Sequence, residues 1–120
     1  MLIAVDFDGV ISAYEGWRGK GDFALPVPGV RAALKTLKDE GHIILINTTR
    51  LEIHQIKEYL EFHDIPFDHL NHSPLNDEKM LHPAKQQADV YIDDRGLRFV
   101  GQWDEDFLSA IRNFKPWWKK

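Results

Sequence analysis

Apolar residues in this chain recur at two spacings, and the alternation of those spacings predicts the elements. Leu2-Ile3-Ala4-Val5 and Ile43-Ile44-Leu45-Ile46 are short unbroken apolar runs, the pattern of strands buried in a parallel sheet. Val30, Ala33, Leu34 and Leu37 fall at helical spacing, and Gly41 follows as a stop signal, so a helix is predicted over 29–40. Ile53, Ile56 and Leu60 mark the inner face of a second helix over 52–62. A short strand is predicted at 66–70, a further one at 88–92 and a last one at 97–100. Asp104 is a candidate N-cap, with Glu105 and Asp106 in the first turn and Phe107, Leu108 and Ile111 as the apolar stripe of a final helix stopped by Pro116. Between Pro74 and Pro83 there is room for one short helix. The tail Trp117-Trp118-Lys119-Lys120 is amphipathic, suited to docking on the core or to another contact.

Strands alternating with helices mean an α/β fold with a parallel sheet and right-handed crossovers. The expected architecture is a three-layer, doubly wound, Rossmann-like single domain spanning 1–120. The polar stretch 9–28 interrupts the alternation. It holds Gly16, Gly19 and Gly21 with Tyr14, Trp17 and Phe23 interleaved. Loops this long are commonly lids or binding loops. This one is read as a flap that turns Trp17, Arg18 and Lys20 toward a substrate; the alternative is a surface hairpin whose aromatics pack on their own domain.

Composition narrows the picture. At 120 residues and 43% hydrophobic content the chain supports one core. A formal charge of −4 gives no bulk electrostatic case for nucleic acid, which leaves it a role only as a substrate. The absence of cysteine removes disulfides, thiolate metal sites and cysteine nucleophiles together. The first apolar run meets acid at once, unlike a signal peptide, and no run approaches the roughly 18 apolar residues of a membrane span. A soluble cytoplasmic protein without membrane partners is expected.

Chemistry is concentrated where predicted strands end. Asp6 and Asp8 follow the first strand, with Gly9 after them; Thr48, Thr49 and Arg50 follow the second; Asp93, Asp94 and Arg95 follow the strand at 88–92. In a parallel sheet these ends share one edge, the edge at which such folds bind ligands. Four converging carboxylates repel one another without a cation, and Mg²⁺ suits carboxylate and water ligands shared with a phosphate. Thr48 is a donor for a phosphate oxygen, with Lys79 or Lys85 to balance its charge. The six histidines, including His69 and His72 near Asp68, read as surface or partly buried residues rather than as a metal set.

Asp6-Phe7-Asp8-Gly9-Val10, Ile44-Leu45-Ile46-Asn47-Thr48 with Arg50, and Val90-Tyr91-Ile92-Asp93-Asp94 together resemble the first, second and fourth motifs of the haloacid dehalogenase (HAD) superfamily of phosphohydrolases. The third motif is a lysine; Lys85 is favoured and Lys79 is the runner-up. The resemblance implies Asp6 as nucleophile and Asp8 as general acid and base. It implies Mg²⁺ held by Asp6, the backbone carbonyl of Asp8, and Asp93 or Asp94, with Thr48 and Lys85 on the phosphoryl oxygens. Gly9, Trp17, Arg18, Lys20, Thr49, Arg50 and Arg95 are the expected substrate contacts. Neither gap between motifs holds a full cap domain. An open site of this kind implies a large phosphorylated substrate, such as a nucleic-acid end or a phosphoprotein, or an oligomer closing over a nucleotide or sugar phosphate. Thr-x-Arg and Ile-Asp-Asp-Arg runs also occur in polynucleotide 3′-phosphatases of the superfamily. A receiver-like phospho-acceptor domain and a binding-only HAD scaffold are the alternatives from other functional classes.

Overall fold

The computed structural model describes residues 1–76 and 85–120. Four strands and three helices lie in this part of the chain, in the order β1 (Leu2–Asp6), α1 (Val30–Asp39), β2 (Ile43–Asn47), α2 (Ile53–Phe62), β3 (His69–Leu70), β4 (Val90–Ile92) and α3 (Glu105–Arg112). The sheet has the order β3-β2-β1-β4, and every pairing is parallel. The protein is therefore an α/β molecule of Rossmann-like kind. Val5 pairs with Ile46 on one side and with Ile92 on the other, so β1, β2 and β4 end level with one another. Their carboxyl ends share one edge, as the alternation of strands and helices requires.

The core forms on one face of this sheet. Ile3 and Val5 of β1 and Ile44 and Ile46 of β2 pack with Leu34 of α1 and Ile56 and Leu60 of α2. Side chains alternate along a strand, so Leu2, Ala4 and Leu45 are buried on the opposite face, with Ala88 against them. Helix α3 contributes no buried residue.

Local chemistry sets the ends of the helices. Gly41 sits at φ 91°, and the N–H groups of Gly41 and His42 return to the carbonyls of Lys38 and Leu37 at 2.9 and 3.1 Å. This is the hydrogen-bond pattern of a glycine-stopped helix, and it releases the chain directly into β2. Asp64, at φ 55°, takes the same left-handed place after α2, and Ile65 N–H bonds to the Leu60 carbonyl at 2.9 Å. Asp104 caps α3 as its sequence suggests, its carboxylate accepting from Phe107 N–H at 3.0 Å.

Side chains also fasten the short outer strands. Asp68 accepts from Ile44 N–H at 2.8 Å and pairs with Lys38 at 3.0 Å, so β3 is shorter than the predicted 66–70 because a side chain replaces part of its ladder. Asp89 does likewise for β4, accepting from Leu2 N–H at 2.7 Å. On either side of the undescribed segment, Ser73 N–H donates to Gln86 Oε1 at 2.8 Å. The Pro74–Pro83 helix expectation falls largely on residues outside the described part.

Two expectations are corrected. Residues 97–100 form no strand, and Val100 is 75% exposed. Strand β4 is also shorter than the predicted 88–92. It lies at the sheet edge, and Val90, Tyr91 and Ile92 are all exposed. Among the described residues no helix is long and apolar enough to cross a membrane.

Two substitutions test this division of the apolar residues. Leu60→Ala removes a fully buried side chain, and the expected loss is about 2–5 kcal/mol. Ile111→Ala, on the exposed stripe of α3, is expected to change stability by about 0.5 kcal/mol or less. Urea unfolding of both variants checks the pair; equal losses would place α3 in the core.

Candidate active site at the carboxyl edge of the sheet

Asp6 is the last residue of β1, and Asp93 and Asp94 follow β4 directly. Because the two strands are neighbours in register, one carboxylate oxygen from each of Asp6, Asp93 and Asp94 falls within 4.8 Å of the others. Burial pushes the Asp6 carboxyl up to about 8 from its ordinary 3.8; a hydrogen bond with Asp94 and the charge of Asp93 add to this, against an opposing hydrogen bond from Phe7 N–H. Crowded like charges share a proton when nothing else neutralises them.

Asp8 points elsewhere. Both of its oxygens are engaged by Arg50, from Nε at 2.6 Å and from Nη2 at 3.0 Å, a forked pairing of guanidinium and carboxylate. Arg50 Nη1 donates to Glu52 at 2.9 Å. The guanidinium lies 4.8 Å from the ring centres of both Trp17 and Phe23, and the Arg50 side chain is only 4% exposed. Burial raises the Glu52 carboxyl, but the hydrogen bonds from Arg50 and from Gly21 N–H outweigh it and lower it overall. Arg50 was expected on a substrate phosphate. The structure directs its donors to Asp8 and Glu52.

The flap grows from this region. Phe7 and Ile11 are fully buried at its base, and Val27 N–H bonds to the Ile11 carbonyl at 2.7 Å. Phe23 packs edge-on against Phe7 and Tyr59, while the Tyr59 hydroxyl donates to the Ala24 carbonyl at 2.7 Å. The two readings of 9–28 therefore each describe part of it. Phe23 belongs to the core, whereas Tyr14, Trp17 and Lys20 line a cavity of about 550 Å³ above the acids.

Asp6, Asp8, Asp93, Asp94, Thr49, Arg50 and Arg95 line the same cavity. Among the described residues, the expected site residues Thr48, Arg18, Lys85 and Gly9 do not. Thr48 accepts from Arg50 N–H at 3.1 Å and is held by Asn71 through bonds of 2.8 and 2.9 Å, so its hydroxyl shapes the turn after β2. Arg18 pairs with Asp22 within the flap at 3.6 Å. Lys85 rests its ammonium 4.6 Å from the Tyr91 ring centre, away from the cavity. Lys79 lies outside the described residues. Nor does the Asp8 carboxylate join the acidic cluster, since Arg50 holds it.

Gly9 earns its place by close approach. It has φ 81°, and a Cβ there would overlap the Asp94 carboxylate and lie 3.1 Å from Trp118 Nε1. The carboxyl-terminal tail is the part that sequence reasoning did not place. Trp117 Nε1 donates to the Gly9 carbonyl at 2.7 Å, and Trp118 Nε1 donates to Asp94 Oδ2 at 2.6 Å. Glu52 was missed as well, although an acid two residues beyond Arg50 was the available signal.

No protein-family model matches this sequence, and no curated protein does. A solved structure of a conserved protein from Bacteroides thetaiotaomicron is similar, with a TM-score of 0.63 and 27% identity over 93% of this chain and 89% of that one. The likeness supports the α/β arrangement along nearly the whole chain.

Two outcomes follow from this geometry. The folded state favours protonated Asp6, so its contribution to stability is complete below the ordinary carboxylate range and is lost as pH rises through about 8. In chelator-treated protein, the melting temperature of the wild type should therefore fall more steeply between pH 5 and 9 than that of Asp6→Asn; parallel curves would contradict it. Gly9→Ala should cost about 1–2 kcal/mol from its backbone conformation alone, and more from displacing Asp94, as read by urea denaturation.

Proposed function

We propose that this protein is a Mg²⁺-dependent hydrolase of phosphate monoesters, of the HAD type and without a cap domain, acting through a phosphoryl group carried on Asp6. The doubly wound layering of that fold is part of the same reading. The observation that carries it is the convergence of Asp6, Asp93 and Asp94 from adjacent strand ends, with Asp8 two residues from Asp6 in the same cavity.

The donor set fits the metal. All three groups offer hard carboxylate oxygen, the ligand Mg²⁺ prefers, and Asp93 and Asp94 add to the burial that raises the Asp6 carboxyl. Asp6, Asp93 and Asp94 would hold the ion. Bound there, it supplies positive charge that lets a carboxylate approach a phosphate and stabilises charge on the transferring group.

The chain's own residues do the rest. An Asp6 oxygen attacks phosphorus as the bond to the ester oxygen breaks, leaving an aspartyl-phosphate. Asp8 gives a proton to the departing oxygen, then takes one from the water that attacks phosphorus and regenerates Asp6 with release of phosphate. Since Arg50 engages both Asp8 oxygens, the Asp8 carboxyl must turn away from the guanidinium to reach the ester. Lys20 and Arg95 are the cationic side chains of the cavity that the two acids do not occupy, and they suit the substrate's phosphate in place of Lys85. Trp17, 63% exposed at the rim, offers a face for an aromatic or sugar group.

The test is release of inorganic phosphate from an aryl phosphate, sugar phosphates, nucleotides and a DNA 3′-phosphate, with and without Mg²⁺. Turnover should require Mg²⁺ and fall by at least about 1,000-fold in Asp6→Asn. Turnover that survives in Asp6→Asn would sink the covalent route. Stable labelling of Asp6 by a phosphoryl donor, without release, would make the domain a phospho-acceptor switch instead.

A further inference from the structure

The carboxyl-terminal residues do not trail away from the domain. Pro116 is buried, and Lys119 N–H bonds to its carbonyl at 3.1 Å, closing a turn that presents both indoles to the sheet edge. Trp117 donates to the Gly9 carbonyl from 108 residues away in sequence. Trp118 donates to Asp94 Oδ2, while its ring meets Tyr14 of the flap edge-on at 5.1 Å and stacks with the Arg95 guanidinium at 5.4 Å. One side chain thus touches the flap, the end of β4 and a carboxylate of the acidic cluster.

We propose that Trp118 is a positioning residue for the cation site, its indole N–H fixing the Asp94 carboxylate so that the second oxygen faces Asp6 and Asp93. This rests on the reading of the acidic cluster as a cation site. Three features support it. An indole nitrogen is a donor only, so it pairs with Asp94 without competing for the ion. Hydrogen bonds to a carboxylate are about twice as strong as neutral ones. Ordering a ligand before the ion arrives lowers the cost of binding, and partners of metal ligands commonly contribute 10–100-fold in affinity. The Cβ that Gly9 lacks would fill the space where Asp94 and Trp118 meet, so the first motif and the tail are fitted to each other.

Trp118→Phe keeps the ring between Tyr14 and Arg95 and removes the N–H. Mn²⁺ alone is the probe, with free ion counted by electron paramagnetic resonance and the fold checked by melting. The expected result is Mn²⁺ binding weakened about 10-fold or more in Trp118→Phe. In an Asp94→Asn background the same change should have little further effect, a non-additivity that a merely structural role would not produce. Equal or tighter binding in Trp118→Phe, or equal losses in both backgrounds, overturns the proposal while leaving the cation site standing. Failure of the wild type to bind Mn²⁺ removes the site and the role of Trp118 together. A measurement on the wild type needs no variant to fold: the Trp118 indole N–H should be protected from exchange and its ¹⁵N-correlated signal broadened by equimolar Mn²⁺. A freely exchanging, unbroadened signal overturns the proposal.

Discussion

Three carboxylates crowd the ends of two neighbouring parallel strands, and the surrounding structure is arranged to make that tolerable. Asp6, Asp93 and Asp94 are brought together because β1 and β4 pair in register and end level. Burial and these neighbours push the Asp6 carboxyl up to about 8, and the Trp118 indole N–H donates to Asp94.

A second knot of charge lies a few residues away and is resolved differently. Asp8, Arg50 and Glu52 form a chain of ion pairs roofed by Trp17 and floored by Phe23. Burying a charge is costly unless it is paired and hydrogen-bonded, and here the guanidinium is paired on both sides. The arrangement also anchors the flap, since Gly21 N–H reaches Glu52 and the Gly19 carbonyl accepts from Arg50. The proposed acid and base is therefore linked through one arginine to the loop that covers it.

The cavity is lined from the end of β1, the flap, the turn after β2 and the turn after β4. The core under it is local and conventional, with α1 and α2 covering one face of the sheet. The walls above it are loops. In the proposed reaction these walls take the place of a cap domain, and Tyr14 and Trp17 are the aromatic residues among them.

The elements and the acids were legible in the sequence, because periodicity and strand-end position are local properties. Apolar runs marked β1, β2 and β4; helical spacing marked α1 and α2 to within a residue; Asp104 marked the start of α3. Parallel pairing then placed Asp6, Asp8, Asp93 and Asp94 on one edge without further information. Tertiary structure alone decided which charges meet. Sequence sets Arg50 at the same strand-end edge as Asp8, but only packed distances show that it pairs with Asp8 and Glu52. Lys85 has the reach of a long side chain, and only the placement of Tyr91 shows where it rests. The 97–100 run has the composition of a strand and forms none. Trp118 and Asp94 are 24 residues apart, and Trp117 and Gly9 are 108 apart, with no periodicity to connect them. Contacts of that kind arise from where the chain happens to return once the core has formed, and that depends on every element before them.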